Sequence, residues 1–427
     1  MNRTVLPIIA IVAALVVVVV VVIAAVAGGD RTAAAPTTTV PPPATTVPAP
    51  ATTVSPSSTP RSIEIVEGPV TLPDQLSLSV GDWETDWTRR TIELDELLLG
   101  IPAPDPRDVI APLDFPAYQS VAEASEWLVD NEIGVLLDIE GVARFYPLRI
   151  LTTHEIVNDE VGGVPFAVTY CPLCNTAVAY DRRVDGEVLR FGVSGLLRKS
   201  DLVMWDDVTQ SLWQQITGEG IVGAHAGTQL VALPTATVTW GDFAATHPDG
   251  EVLSRETGFS FSYGSNGYVG YTGRGGPFPR FFQDDFDDRF PSLERVVGVR
   301  VGDSTKAYPF SILSGLGVVN DELAGVPITV WWADSGAVDN FDSEQPGGGQ
   351  VIGTGIAFLA TVGDQVLTFA PAGPDTFIDA QTGTTWTLFG EGIEGPLAGT
   401  QLETALHQNE FWFAWSAFNE GSPVLGD

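Results

Sequence analysis

The 427-residue sequence has few residues of the types that carry redox chemistry or bind soft metals. It contains two cysteines, two methionines including the initiator, and four histidines. A chain with so few cysteines is not a disulfide-rich scaffold. It also lacks a phosphate-binding loop, a His-Glu-x-x-His motif and the spacing of a serine nucleophile elbow. These absences exclude the P-loop, zincin and α/β-hydrolase classes of function.

Positive charge is also scarce. The chain has 20 Lys and Arg against 54 Asp and Glu, a formal net charge of −34, and Lys199 and Lys306 are its only lysines. A surface with this surplus of carboxylates repels phosphate groups. The composition therefore argues against nucleic acid and anionic lipid as partners.

The scarce residues gather in one stretch, which holds His154, Cys171, Cys174 and Met204. Pro172 follows the first cysteine and presets a tight turn that brings the two sulfurs close together. Such a turn forms either a metal clip or a reversible disulfide. A disulfide across two residues closes a very small loop and stabilises little, so structural need alone explains the cysteine pair poorly.

The residue that follows the second cysteine also fits such a turn. Asn175 belongs to the few residue types other than glycine that tolerate a left-handed backbone. We therefore predict a left-handed conformation at this position.

An internal repeat distinguishes these candidate ligands from the residues that shape the fold. Residues 146–165 recur as 308–327, and residues 206–230 recur as 379–402. The second copy keeps the Asn-Asp pairs, prolines and glycines. It replaces His154, Cys171, Cys174 and Met204 by Leu316, Ala333, Gly336 and Phe377, respectively. This pattern predicts a site in the first copy and a scaffold role for the second.

Two thiolates, an imidazole and a thioether form a soft ligand set. We predict a metal site made of Cys171, Cys174, His154 and Met204, with copper as the metal and zinc as the alternative. Two simpler interpretations stay open: His154 as a core histidine with a satisfied hydrogen bond, and Met204 as a residue that fills a gap in the core.

The motifs resemble a known family. His-Glu-Ile-Val-Asn-Asp at 154–159, Tyr-Cys-Pro-Leu-Cys at 170–174 and Ser-Asp-Leu-Val-Met-Trp-Asp at 200–206 are similar to those of the domain of unknown function 3179 family. The resemblance covers most of residues 80–427. It implies an exported bacterial or archaeal protein and carries no activity with it.

The N-terminal segment predicts an anchored protein. Residues 1–28 contain an almost unbroken apolar run from Val5 to Ala27, long enough for a hydrocarbon core of about 30 Å. Arg3 precedes the run, which orients the rest of the chain outside the cytoplasm. We expect a single-pass helix in the cell membrane, with a cleaved signal as the alternative. Residues 29–62, rich in Thr, Pro and Ala, predict a disordered stalk.

The remaining chain predicts a mainly β fold with short helices (α+β), in two similar domains at 63–262 and 263–427. Hairpins are expected at 135–146 and at 296–308, and a third is expected to pair strands 176–180 and 187–193 around Asp185-Gly186. A helix is expected at 120–129, with Ser120 as its cap, and 411–418 is expected to pack its rings into the core. The cysteine pair follows a strand at 164–170, and His154 belongs to a helix before it.

Three hypotheses of function follow. The first is a membrane-anchored, extracytoplasmic copper-binding protein. The second is a thiol-disulfide oxidoreductase that uses Cys171 and Cys174, with His154 lowering the pKa of a thiol. The third is a non-catalytic surface protein whose acidic domains bind a partner. A protein or metal-donor partner is compatible with the first hypothesis, and its identity is open.

Overall fold

The computed structural model describes residues 63–264 and 266–427. The predicted anchor at 1–28 and the predicted stalk at 29–62 lie outside the described residues. Within the described ranges, no helix is long and apolar enough to cross a membrane. About 12% of the described residues are helical and 38% are in strands, in a propeller-like arrangement. The prediction of a mainly β fold with short helices is therefore confirmed.

The described residues contain six short α-helices and many short strands. The helices are α1 Asp74–Val80, α2 Val121–Ala124, α3 Leu148–His154, α4 Trp240–Thr246, α5 Phe310–Leu316 and α6 Trp412–Phe418, with two 3₁₀ turns at Leu94–Glu96 and Thr272–Arg274. The strands up to residue 253 are β1 Val66–Glu67, β2 Arg89–Arg90, β3 Leu98–Leu99, β4 Leu113–Asp114, β5 Tyr118–Ser120, β6 Ile133–Ile139, β7 Val142–Pro147, β8 Ile156–Val161, β9 Val164–Cys171, β10 Thr176–Asp181, β11 Arg183–Val184, β12 Glu187–Val188, β13 Phe191–Arg198, β14 Asp201–Asp206, β15 Leu212–Gln214, β16 Gly220–Val222, β17 Ala232–Leu233, β18 Ala236–Thr239 and β19 Glu251–Leu253. The later strands are β20 Arg295–Val301, β21 Ser304–Pro309, β22 Val318–Leu323, β23 Val326–Ala333, β24 Thr354–Leu359, β25 Thr361–Val362, β26 Gln365–Val366, β27 Phe369–Pro371, β28 Thr376–Asp379, β29 Thr385–Thr387, β30 Gly392–Glu394 and β31 His407–Phe411.

The strands form several small sheets. The strand orders are β1-β2-β16-β15-β14-β13-β3, β17-β10-β9-β8-β4, β18-β6-β7-β19-β5, β21-β20-β31, β22-β23-β24 and β27-β28-β29-β30, together with the ribbons β11-β12 and β25-β26. Most neighbours are antiparallel, and the parallel pairs are β4 with β8 and β7 with β19. Sequential hairpins therefore build most of the molecule.

Local sequence signals explain several of these elements. Glu140 and Gly141 both have positive φ, 54° and 82°, which is the backbone of a two-residue hairpin turn between β6 and β7. The predicted hairpin at 296–308 forms as β20 and β21. The predicted aromatic helix forms as α6, with Trp412 and Trp415 buried. Short-range chemistry fixes these elements before tertiary packing is considered.

Two local predictions differ from the structure. The capping box of Ser120 and Glu123 is present, but α2 ends at Ala124. The hairpin around Asp185-Gly186 joins the short strands β11 and β12, whereas β10 pairs with β9 and β17, and β13 crosses to another sheet. In the hairpin, pairing of β10 and β13 with other strands overrides the local pattern.

The sequence repeat is also a structural repeat. In the first copy, β6, β7, α3, β8, β9 and β10 follow one another, and β20, β21, α5, β22, β23 and β24 do so in the second. In each copy the first hairpin pairs with a later strand, β18 or β31. The register is the same, because Val238 opposes Gly134 and Glu410 opposes Val296, at equivalent places of the two copies.

The two copies share their hydrophobic cores. One core combines β8, β9 and β10 of the first copy with Phe411 and Phe413 of the second. Another combines Val238 and Trp240 of the first copy with Trp331 and Phe358 of the second. The described residues group into one compact unit. The copies are therefore interlocked through two related junctions, where β10 packs near β31 and β24 packs near β18.

Candidate metal centre

The cysteine pair lies at the end of β9. Cys171 is the last residue of this strand and pairs with Thr176 of β10, so Pro172 to Asn175 form the connecting turn. Asn175 has φ 54°, which confirms the predicted left-handed position. Both thiols are free and buried, with Cys171 2% and Cys174 0% exposed. The turn therefore holds two sulfurs together inside the protein.

A second tight turn approaches the sulfurs from the neighbouring sheet. Lys199 and Ser200 join β13 to β14 with φ of 49° and 67°, a hairpin turn that usually favours Asn and Gly. The carbonyl oxygen of Ser200 lies 3.8 Å from the Cys171 sulfur and 3.5 Å from the Cys174 sulfur. A carboxylate oxygen of Asp201 and the two sulfurs all lie within 4.8 Å of one another. Two strand ends therefore bring three ligand atoms to one point.

Several oxygens around this point lack hydrogen-bond partners. Asp201 accepts hydrogen bonds through Oδ2 from Gln214 Nε2 at 2.7 Å and from the Ile216 amide at 3.0 Å. Within the described part of the chain, its buried Oδ1 has no geometric hydrogen-bond partner, although the Cys171 and Cys174 thiols act on the Asp201 carboxylate as donors and lower its pKa. Ser200 Oγ, Gln215 Oε1 and Glu410 Oε1 also have no partner there. Buried polar atoms are usually satisfied, so unsatisfied oxygens in this region could coordinate a cation.

The electrostatics lead to the same conclusion. Burial raises the pKa of Asp201 to about 6, and burial together with the charge of Asp201 raises the pKa values of Glu155 and Glu410 to about 8. Burial also raises the pKa values of the Cys171 and Cys174 thiols. Among the described residues, no salt bridge reaches any of the three carboxylates. A bound cation would stabilise the ionised forms of all these groups.

His154 lies in a helix as predicted, at the end of α3, but its ring nitrogens have other partners. Nδ1 donates to the Ala111 carbonyl at 2.6 Å, so Nε2 accepts from the Tyr263 hydroxyl at 2.6 Å. The ring packs against Phe259 and Phe261. Burial lowers its pKa to about 4. The group of converging ligand atoms in the described residues does not include His154.

Met204 is fully buried in the hydrophobic core that also contains both cysteines. It opposes Val193 and Trp213 in the neighbouring strands. It stands three residues after Asp201 in β14, and side chains three apart in a strand point to opposite faces. The structure therefore brings Cys171 and Cys174 together with Asp201, while His154 and Met204 are placed among hydrophobic groups.

The sequence interpretation did not include Asp201 in the centre, nor the two buried glutamates near it, Glu155 and Glu410. The repeat carried a signal for each of them, because the equivalent positions are Pro374, Gly317 and Val238. The alignment at Asp201 is supported by the structure: Asp206 accepts a hydrogen bond from Trp213 Nε1 at 2.9 Å, and its equivalent Asp379 accepts one from Trp386 Nε1 at 3.0 Å. Comparing carboxylates as well as soft ligands between the copies identifies all three.

The related junction in the second copy is apolar. Ala333, Phe377 and Val238, the equivalents of Cys171, Met204 and Glu410, belong to a single hydrophobic core. There Phe377 stacks on Trp331 with ring centroids 4.2 Å apart. The same fold therefore contains one junction packed with apolar side chains and a related junction that contains thiols and carboxylates.

Comparison with known proteins identifies a family. The model of a protein family of unknown function, DUF3179, matches residues 107–422 and confirms the resemblance seen in the motifs. No curated protein and no solved structure matches the chain. The matched range contains the repeated segments of both copies and every residue of the candidate centre.

Proposed function

Because the chain belongs to the DUF3179 family, which carries no known activity, its function has to be inferred from its own site, and we propose that it binds a divalent transition metal. The ligands are the Cys171 and Cys174 thiolates and the Asp201 carboxylate. The Ser200 carbonyl oxygen faces both sulfurs and fixes the direction from which the β13–β14 turn approaches them. The centre holds a cation in the interior of the protein, between the two copies.

The contrast between the two junctions carries this proposal. In the equivalent junction, Ala333 and Val238 take the places of Cys171 and Glu410 and pack as ordinary core, so the fold does not need polar groups at these positions. Burying several acidic groups without a cation is unfavourable by several kcal/mol per ionised group. Binding of a cation would explain why the first junction has buried thiols and carboxylates.

The ligand types favour zinc. Zinc accepts thiolate and carboxylate ligands together, whereas a copper site of the predicted kind relies on imidazole and thioether as well. Copper was predicted from His154, whose ring nitrogens bond to Ala111 and Tyr263, and from Met204, which is packed in the hydrophobic core. Copper stays a prediction that metal analysis tests. The buried position of the centre suits metal storage or structural stabilisation.

Thiol-disulfide exchange is a second candidate, favoured by the closeness of the two free sulfurs. Exchange requires an accessible thiolate of lowered pKa. Burial acts in the opposite direction on both thiols. We therefore rank exchange below metal binding, and the surface-interaction hypothesis below both, since no feature of the centre supports it.

We further propose that the chain is anchored in the cell membrane by residues 1–28, with the two similar copies at 63–262 and 263–427 outside the cytoplasm. The apolar run and the preceding Arg3 support this. The test is fractionation of cells that produce the full chain, followed by protease treatment of intact cells or spheroplasts. The chain should partition with membranes until detergent is added, and its folded part should be accessible from outside.

Metal content tests the central proposal. The full chain is purified anaerobically with reductant, and its zinc and copper are measured by mass spectrometry. We expect about one zinc per chain, lost in Asp201→Asn. Asp206→Asn is the matched control, because Asp206 is also a buried aspartate of β14 but is already hydrogen-bonded to Trp213.

The outcomes separate the hypotheses. Zinc retained in Asp201→Asn and in Cys171→Ala would contradict the proposed centre. Copper bound by the wild type and lost in His154→Gln would favour the predicted soft set. A chain without metal whose thiols oxidise reversibly would favour exchange.

A further inference from the structure

Three side chains leave a tetrahedral metal one ligand short, and the second copy places a carboxylate beside the centre. This is Glu410, in β31. The following residue, Phe411, donates its amide to the carbonyl oxygen of Cys174 at 3.0 Å. The strand that carries Glu410 is therefore fixed directly to the turn that carries the cysteines.

Glu410 has no satisfactory partner where it lies. It is completely buried, and its Oε1 has no hydrogen-bond partner among the described residues. Its Oε2 accepts one long hydrogen bond, from Thr176 Oγ1 at 3.4 Å. The ionised form of such a group is costly to bury, and the charge of Arg300 acts on it without forming a salt bridge among the described residues. The weak bond to Thr176 is readily exchanged for a bond to a metal.

The fold itself does not require an acid at this position. The equivalent residue of the first copy is Val238, fully buried in the same register against the opening hairpin. A valine at this place packs well, so the glutamate is present for a reason other than packing.

We propose that Glu410 is the fourth ligand of the metal bound by Cys171, Cys174 and Asp201, so that the metal joins the two copies of the repeat. This inference rests on the proposed metal centre. Glu410 stands outside the group of atoms that lie within 4.8 Å of one another, so ligation requires its side chain to turn toward the sulfurs. Three ligands then come from the first copy and one from the second.

Glu155 is the alternative fourth ligand and provides the matched control. It is also a buried glutamate, and it also lies near Asp201. It belongs to the first copy, at the end of α3, and its main-chain carbonyl accepts from the Tyr170 amide at 2.7 Å. A metal ligated by Glu155 would connect only elements of the first copy.

Cobalt(II) is the probe, because its absorption reports its ligands. The metal-free full chain is titrated anaerobically with Co²⁺, and the thiolate charge-transfer and ligand-field bands are recorded separately. In Glu410→Gln we expect the charge-transfer band to persist, the ligand-field bands to weaken, and the affinity to fall by at least about tenfold to a hundredfold, the range that even outer-shell partners produce. Glu155→Gln should leave the ligand-field bands unchanged.

Each result decides the question. A wild-type chain that binds neither Co²⁺ nor Zn²⁺ would overturn the metal centre itself. Binding by the wild type with an identical spectrum and affinity in Glu410→Gln would overturn only the role of Glu410, as would ligand-field changes confined to Glu155→Gln. Glu410→Val guards against misfolding: since Val238 fills the equivalent place, this variant should fold and bind Co²⁺ as weakly as Glu410→Gln.

The link between the copies has its own readout. Metal binding should slow hydrogen exchange at the Phe411 amide and along β31 in the wild type. In Glu410→Gln the same metal, added to saturation, should protect the cysteine turn and leave β31 unchanged. Equal protection of β31 in both proteins would contradict a bond between the copies.

Discussion

At the scale of single residues, Glu155 adopts a left-handed backbone conformation that is unfavourable for a residue with a side chain. It follows α3 with φ 59°, whereas the equivalent position after α5 is Gly317 with φ 70°. Glycine reaches this region without steric penalty, and other residues do so at a cost of about 1 kcal/mol. Glutamate thus combines backbone strain with a buried carboxyl group.

Glu155→Gly should therefore stabilise the metal-free protein. We expect the free energy of unfolding to rise by about 1 kcal/mol or more at pH 8, because the variant relieves the strain and removes an acid from the interior. Denaturant unfolding measures the difference. Gly317→Ala is the reference in the other copy and should be destabilising, since an added Cβ would lie 2.7 Å from Pro371 Cγ. A destabilised Glu155→Gly would show that the carboxyl group supports the fold.

The buried acids also determine how stability depends on pH. Folding raises the pKa of Asp201 from 3.8 to about 6 and those of Glu155 and Glu410 from 4.5 to about 8. Their contribution to the unfolding free energy is complete below about pH 4 and is lost as the pH rises through 6 to 8. His154 and His407, with pKa values lowered to about 4, act in the opposite sense and destabilise the fold as the pH falls below 6.5.

We expect the metal-free protein to lose stability between pH 5 and pH 8, on the order of 2 kcal/mol or more. With saturating Zn²⁺ the slope should reverse, because metal binding releases protons from the ligands. Urea unfolding at several pH values, with and without Zn²⁺, measures both slopes. A metal-free protein whose stability increases steadily over this range would contradict the pKa shifts.

At the scale of elements, residues 257–263 pack against His154, the last residue of α3. The Tyr263 hydroxyl bonds His154 Nε2 and also contacts Thr257 Oγ1, while Phe259 and Phe261 pack on the ring. This arrangement matches the simpler interpretation of His154 as a core histidine with satisfied hydrogen bonds.

Tyr263→Phe should destabilise the protein by about 1–3 kcal/mol, because it leaves the buried Nε2 of His154 without a donor. Metal content should not change. A double-mutant cycle with His154→Ala, measured by denaturant unfolding, should show strong coupling between the two residues. Additive effects, or loss of metal in Tyr263→Phe, would contradict a structural role for the pair.

The elements also show what the sequence can predict. Turns such as Glu140-Gly141, the cap at Ser120 and the cysteine turn were predictable, because their residues fix local backbone conformation. The partner strands of β10 and β13 were not, since long-range pairing depends on packing that no local pattern encodes.

In the candidate centre, the search for soft ligands led to the prediction of His154 and Met204. Asp201 was missed because acids are common in this chain, although its replacement by Pro374 in the second copy was visible.

At the scale of the whole molecule, the shared cores predict cooperative unfolding. Each of the two largest cores takes residues from both copies. We expect the described residues to unfold in one transition, and fragments 63–262 and 263–427 to remain unfolded when produced separately. Calorimetry of the full chain and circular dichroism of the fragments provide the measurements. Two well-separated transitions, or a folded fragment, would show that the copies are independent domains.

The interlocking of the two copies makes the chain equivalent to a homodimer whose subunits have been fused into one polypeptide. In a dimer of identical subunits, symmetry makes both contacts the same, so a thiolate centre on one side requires another on the opposite side. Fusion removes the requirement that both contacts be the same. The two halves of one chain can differ in sequence, so a substitution in either half alters each contact differently. Of the two junctions described, only the one between β10 and β31 is polar, an asymmetry that fusion into one chain permits. The junction between β24 and β18 shows the equivalent contact without ligand residues.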